Sequence, residues 1–209
     1  MERQQVDFIC SNCLLVNAST GSTDMLAWGS VTGNPKSGFR RRLLEDNFVP
    51  PNSTLVRRRV FERVGTFDTS LKGVDDYDLW YRIAREVPCS VLTKPLCTWR
   101  YQNSSSISAD QSLMLEDELV FYQKLLALPD VTEEEREVGM EHSKRNRRRL
   151  GNQALQAGAY QQAAAAYREA DASLLVALTL AAGPLLKAGY AAKRRTVPQF
   201  SPINLDFSL

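Results

Sequence analysis

The stretch that decides the fold reads Gly73-Val74-Asp75-Asp76-Tyr77-Asp78-Leu79-Trp80-Tyr81-Arg82-Ile83-Ala84. Leu79, Trp80, Ile83 and Ala84 recur at the spacing of one helix face, and Pro88 closes the run. The acidic residues lead into that face. A helix start carries unpaired amides and the positive end of a dipole, so negative charge is favoured there. Two readings of Asp75 and Asp76 follow. Either they cap the helix, or they are working carboxylates, the helix start holding Asp76 ionised so that it can take a proton from a hydroxyl. Asp78 reads as a first-turn acid offsetting the dipole.

Working outward, Pro50 and Pro51 end an upstream segment. Ser53 or Thr54 is expected to start a short helix through Val60, Phe61 and Val64 that stops at Gly65. Downstream, two short strands are expected near Ser90 to Thr93 and Leu96 to Tyr101, separated by Lys94 and Pro95. Val6, Phe8 and Cys10 alternate with more polar neighbours as an opening strand, and Asn17 to Gly21 supplies turn chemistry. Residues Thr20 to Phe39, rich in Gly, Ser, Thr and Asn, read as a long irregular excursion. Beyond Ser108 the pattern turns helical through Leu113, Leu119, Tyr122, Leu125 and Leu126. Leu150, Gly151, Gly158, Tyr160, Ala163, Tyr167 and Ala170 resemble a single tetratricopeptide repeat, which needs a neighbour to cover its apolar face. Leu174 to Leu186 is the expected neighbour, as a buried helix.

The totals bound the function. The chain has 209 residues, 44% hydrophobic, and 26 basic against 24 acidic residues give a formal charge of +2. That suits a globular core and supplies no field drawing the chain to nucleic acid. The residues Met1 to Asp7 lack the apolar core of a secretory signal. Ala172 to Leu186, interrupted by Gly183 and Pro184, falls short of the roughly 20 residues a membrane span needs. Four cysteines suit a reducing compartment better than a disulfide framework.

Taken in order, Asn47 to Pro50, Ser53 to Arg57, Val60 to Gly65, Phe67 with Asp68, Gly73 to Arg82, Pro95 to Arg100 and Ser108 resemble the second half of a family 2 inverting glycosyltransferase domain. The resemblance covers about half of the chain. It implies an α/β fold: a partial A-type nucleotide-sugar transferase sheet lacking its N-terminal donor half, followed by an all-α extension. The implied divisions are an acceptor-side part at 1–110, a helical extension at 111–195 with one tetratricopeptide-like unit, and a loose tail at 196–209. The implied reaction moves a sugar from a nucleotide-diphosphate donor to a hydroxyl acceptor with inversion, the acceptor being a saccharide, a lipid-linked sugar or a protein. Asp76 stands at the place of the catalytic base. Asp75 precedes it, where the family more often has Glu. Trp80, Arg82, Trp99 and Arg100 are the substrate-binding candidates. Trp80 and Tyr81 either lie against sugar rings or belong to the core, and Arg82 pairs either with one of the acids or with donor phosphate.

In that family Mg²⁺ or Mn²⁺ neutralises the leaving diphosphate. The acid-x-acid motif that carries it has no counterpart here, so the ligands are expected outside this chain, and a separate donor-half chain becomes an expected partner. Gln102 stands where a metal-holding histidine commonly follows the closing strand, and no metal is expected there. The implied compartment is the cytoplasm, with at most a peripheral contact on the inner face of a membrane. The strand at Val6 to Cys10, deprived of neighbours from the donor half, is expected to expose an unpaired edge and to drive dimerisation or aggregation.

Rival constellations are weaker. Cys10 and Cys13 have a metal-like spacing, but Cys89 and Cys97 form no matching pair and no histidine is near, so zinc is not expected. The runs Arg40 to Arg42, Arg57 to Arg59 and Lys144 to Arg149 read as solvated faces without the interleaved aromatics that stack on bases. His142, the only histidine, reads as part of a solvated helix face. The alternative function is a non-catalytic interaction module, or an inactive remnant, binding a partner through its helical tail.

Overall fold

Strand β1, Phe8–Asn17, is the axis of the first of two units in the computed structural model, which describes residues 6–26, 35–101, 107–181 and 183. The chain is mixed α/β. Its units are Met1–Ile107 and Ser108–Leu209. The expected loose tail at 196–209 and Gln102 lie outside the described residues.

In the first unit, β1 pairs antiparallel with β2, Thr23–Leu26, and with β3, Thr54–Val56. Along its other edge it pairs in parallel with β4, Cys89–Tyr101, from Phe8 to Asn17. This corrects the expectation of an unpaired edge, because both edges of β1 are hydrogen-bonded within the unit. The apolar face survives in another form. Leu55, Leu92 and Leu96 are exposed, and strand alternation puts them on the sheet face opposite Phe8 and Cys10.

The two short strands expected around Lys94 and Pro95 are one strand carrying a bulge. The β1–β4 register slips between Ser11 and Cys13, so that Asn12 faces Pro95 and Cys13 faces Cys97. The buried Asn12 donates its side-chain amide to the Thr93 carbonyl at 2.6 Å, replacing the ladder bond that the bulge removes. Proline is tolerated at such a bulge on an outer strand. The slip also explains why Phe8 and Cys10 point to the core before it, and Cys13 and Leu15 after it.

Residues Thr20 to Phe39 are more regular than expected. Asn17 accepts the Ser19 and Thr20 amides through its side chain, turning the chain into β2. Helix α1 then spans Pro35–Glu45; residues 27–34 lie outside the described residues. The helix expected from Ser53 begins later. Pro51–Ser53 form one 3-10 turn, the β-branched Thr54 and Val56 join the sheet as β3, and α2 spans Arg58–Val64, ending at Gly65 with φ 78°. Helix α3, Asp75–Glu86, packs against α1 and α2. Phe8 meets Phe39 and Trp80 at ring-centroid distances of 5.6 and 5.2 Å, which places the core between the sheet, α1 and α3.

The second unit is helical: α4 Gln111–Leu126, α5 Glu133–Ala157 and α6 Tyr160–Glu169. Asp110 caps α4 by accepting two backbone amides. Thr132 and Glu135 form a reciprocal capping box on α5. His142 is not on a solvated face. It packs edge-on against Tyr122, shares a 2.7 Å hydrogen bond with its hydroxyl, and is held down to a pKa of about 4 by burial and by Arg145. The basic run of α5 is partly neutralised at close range, Lys144 by Asp171 and Arg147 by Glu169. Leu155, Ala163 and Tyr167 form a core on which Leu175 and Val176 pack. The expected buried helix over Leu174 to Leu186 is therefore half right within its described part. Residues 173–181 are helical, but Leu174, Leu178 and Leu180 are exposed. Among the described residues, no helix is long and apolar enough to cross a membrane.

At Gly151, α5 lies tight against α6, since a Cβ there would lie 2.6 Å from the fully buried Tyr167 ring. Gly151→Ala tests this contact. Alanine favours an exposed helix by about 1 kcal/mol over glycine, but the overlap with a packed ring costs about 1–3 kcal/mol, so urea unfolding should show a net loss in the helical unit. Unchanged or raised stability would mean that the ring turns aside freely.

Candidate active site

The site is built where the segment from Leu43 to Val49, the end of α1 and the chain that follows it, crosses the start of α3. Three side chains of α3 hold that segment. The Tyr77 hydroxyl donates to the Leu43 carbonyl at 2.5 Å, the Trp80 indole to the Val49 carbonyl at 3.1 Å, and Asp76 Oδ1 accepts from Asn47 Nδ2 at 3.1 Å. Residues 76, 77 and 80 share one flank of the helix. The carboxylate is thereby fixed on a rigid element and covered by a neighbouring strip of chain.

Val74 is the N-cap of α3 and offers no side-chain cap, so Asp75 and Asp76 occupy the first two helical positions. Neither is an N-cap in the ordinary sense. Asp76 accepts the Tyr77 amide at 2.6 Å, again on Oδ1. Both hydrogen bonds it accepts from other described residues thus fall on one oxygen. Burial pushes the Asp76 carboxyl up to about 6 from an ordinary 3.8, and the Asp75 charge adds to the rise, while the Tyr77 amide and the Asn47 side chain work against it. The helix start does favour the anion, as expected, but desolvation outweighs it and the net direction is upward.

The other candidates divide. Trp80 is 3% exposed and its ring packs against Phe8 and Phe67, so it is a core residue with no face open to a sugar. Tyr81 is buried as well. Arg82 pairs with the buried Asp78 at 2.8 Å and donates to the Val64 and Thr66 carbonyls, binding the end of α2 to α3. Its guanidinium is taken up by the fold rather than turned toward a phosphate. This also makes Asp78 an ion-pair partner instead of a simple dipole-offsetting acid. Trp99, half-buried, and Arg100, exposed, lie on β4 opposite Leu15 and Val16. No hydrogen bond or ion pair among the described residues joins either of them to Asp76. The structure thus brings Asp75, Asp76 and Asn47 together. In the sequence, Asn47 stands out only as part of the block Asn47 to Pro50, and a lone amide ahead of Phe48 and Val49 is its one signal.

The residues do not fit a resident divalent cation. Asp76 Oδ1 already carries two N–H donors, and no group of three or more His, Cys, Asp or Glu among the described residues is placed to hold a metal. Burial pushes the Cys10 thiol up to about 12, and Cys13, facing Cys97, also to about 12. Such thiols behave as apolar core groups.

No protein-family model matches this chain, and neither does any curated protein or solved structure. The site therefore rests on its own geometry.

A carboxyl whose folded-state pKa is raised contributes most to stability when protonated. For Asp76 that contribution is complete below about pH 4 and is lost as pH rises toward about 6. Asp76→Asn keeps an acceptor for both amides and removes the charge. It should stabilise the chain at pH 8 by about 2–3 kcal/mol, the equivalent of two pKa units, with the gain vanishing near pH 4. Urea unfolding at the two pH values measures this. A difference independent of pH would refute the burial argument.

Proposed function

We propose that the first unit supplies the acceptor side of an inverting glycosyltransferase, with Asp76 as the base. The observation that carries this reading is a partly buried carboxylate on a helix start, pushed up to about 6, with both hydrogen bonds it accepts from other described residues on Oδ1. A base needs to be ionised at working pH and still hold a proton well. With a pKa of about 6, roughly nine-tenths of the groups are ionised at pH 7, and the proton affinity is higher than that of an ordinary aspartate.

In the reaction, the acceptor hydroxyl oxygen bonds to the anomeric carbon on the face opposite the leaving group. Its proton passes to Asp76. The bond from the anomeric carbon to the nucleotide diphosphate breaks with both electrons staying on the diphosphate oxygen, which inverts the centre. The order of blocks from Asn47 to Ser108 supports the same assignment. On this reading a separate donor half supplies the nucleotide pocket and the acids that hold Mg²⁺ or Mn²⁺, and Asp75 sets the local field. The second reading, a partner-binding module, draws on a different observation: Leu174, Leu178 and Leu180 are 72, 39 and 48% exposed on the helical run that follows α6.

The test is sugar transfer from a panel of nucleotide sugars by this chain combined with a donor half. Asp76→Asn should lower turnover by roughly 10²–10⁴-fold with the donor KM nearly unchanged. An inactive Asp75→Asn beside an active Asp76→Asn would reverse the assignment. Absence of transfer by the unaltered chain with every donor would sink the enzyme reading and leave the partner-binding one.

A further inference from the structure

We infer that Asn47 is a positioning residue for Asp76, fixing Oδ2 as the oxygen that receives the acceptor's proton. The inference rests on the glycosyl-transfer reading for the identity of the proton donor, but the arrangement it describes stands on geometry alone. Asn47 donates through Nδ2 to Asp76 Oδ1 at 3.1 Å, and the Tyr77 amide donates to the same oxygen at 2.6 Å. An oxygen with two N–H donors pointed at it repels a proton, so protonation goes to the other oxygen. The backbone amide alone leaves the carboxylate free to rotate about its last bond; the second donor, arriving from a different segment, fixes that rotation.

The other half of the Asn47 amide is unused. Its Oδ1 is buried and has no hydrogen-bond partner. An orphaned buried carbonyl is costly, and turning the amide over would set its oxygen against the Asp76 carboxylate. An apolar side chain of the same size would avoid that cost but would take a donor away from the ionised Asp76. What asparagine provides at this position, and leucine cannot, is the single donor aimed at Asp76. Asn47 is also anchored for the task, because Leu43 and Val49 on either side of it are tied to Tyr77 and Trp80. Among the described residues, Asp75 is the one charged group that shifts Asp76, and it lies on the same turn.

The experiment is carboxyl and side-chain amide NMR on the full chain across pH 4 to 8. In the unaltered protein, the Asn47 side-chain amide protons should titrate with the same midpoint as the Asp76 carboxyl, since they share a hydrogen bond. In Asn47→Leu, the Asp76 midpoint should rise by roughly one pH unit, the scale of a lost hydrogen bond to a charged group, while unfolding stability stays equal or increases at pH 4, where the carboxyl is protonated, and falls at pH 8, where the anion has lost a donor. A purely structural Asn47 predicts the opposite pair: lower stability at pH 4 and an unmoved midpoint. An Asn47 amide that is blind to the Asp76 titration overturns the proposal even if the variant fails to fold. In the transfer assay, the acidic limb of the pH–rate profile should move up by the same amount in Asn47→Leu. If no donor supports transfer at all, the glycosyl-transfer reading fails, and the NMR result still decides whether Asn47 positions Asp76.

Discussion

The first unit depends on how α3 grips the segment from Leu43 to Val49. Tyr77 and Trp80 each carry a polar atom at the end of a large apolar body, and each delivers it to a backbone carbonyl of that segment. A buried carbonyl without a partner is costly, so these two bonds set the register of the segment against the helix to within one residue. Everything at the site follows from that register. Asn47, between the two tied carbonyls, has one place to put its amide, beside Asp76. The rings that make the bonds also fill the core between sheet and helices, Trp80 against Phe8 and Phe67. One set of side chains therefore both closes the core and aims the carboxylate.

Two opposing effects meet at Asp76. The start of a helix stabilises an anion by at most about 1–2 kcal/mol even in partly buried geometry. Removing a carboxylate from water costs more unless it is paired with a cation, and Asp76 has only neutral N–H donors, from Tyr77, Asn47 and its own backbone, and a like-charged neighbour, Asp75. Burial wins, and the carboxyl rises. Asp78, two residues on, has the opposite fate, because Arg82 pairs with it at 2.8 Å. The same helix turn thus holds one acid neutralised for structure and one left uncompensated. That contrast separates a working carboxylate from a structural one better than exposure does.

Much of α3 was legible because its signals are local: apolar spacing, an acidic first turn and a closing proline. The failures share a physical cause, which is that the deciding partner lies far along the chain. Ser53 and Thr54 after a double proline look like a helix start, yet β1 offers Thr54 to Val56 an edge and takes them into the sheet. Lys94 and Pro95 look like a break, yet Asn12, more than eighty residues earlier, satisfies the freed Thr93 carbonyl and lets one strand continue. His142 has only polar neighbours in sequence, and its partner is Tyr122 on another helix. Trp80 and Arg82 were candidates for substrate because aromatic and guanidinium groups bind sugars and phosphates. The partners that absorb them, Val49, Val64 and Thr66, carry no signal beyond a backbone carbonyl.

The uncompensated charge of Asp76 and the orphaned carbonyl of Asn47 are adjacent, and each is a local loss of stability. Such losses persist only where the surrounding structure over-determines the geometry. Here it does so on one side by two buried ring-to-carbonyl bonds, and on the other by the Arg82 clasp that ties α2 to α3 through Asp78, Val64 and Thr66. A fold optimised for stability alone would avoid both losses. Rigid support concentrated around two mutually facing, individually unfavourable polar groups is what a proton-transfer site requires. Its base must not relax toward a more comfortable conformation when the proton arrives.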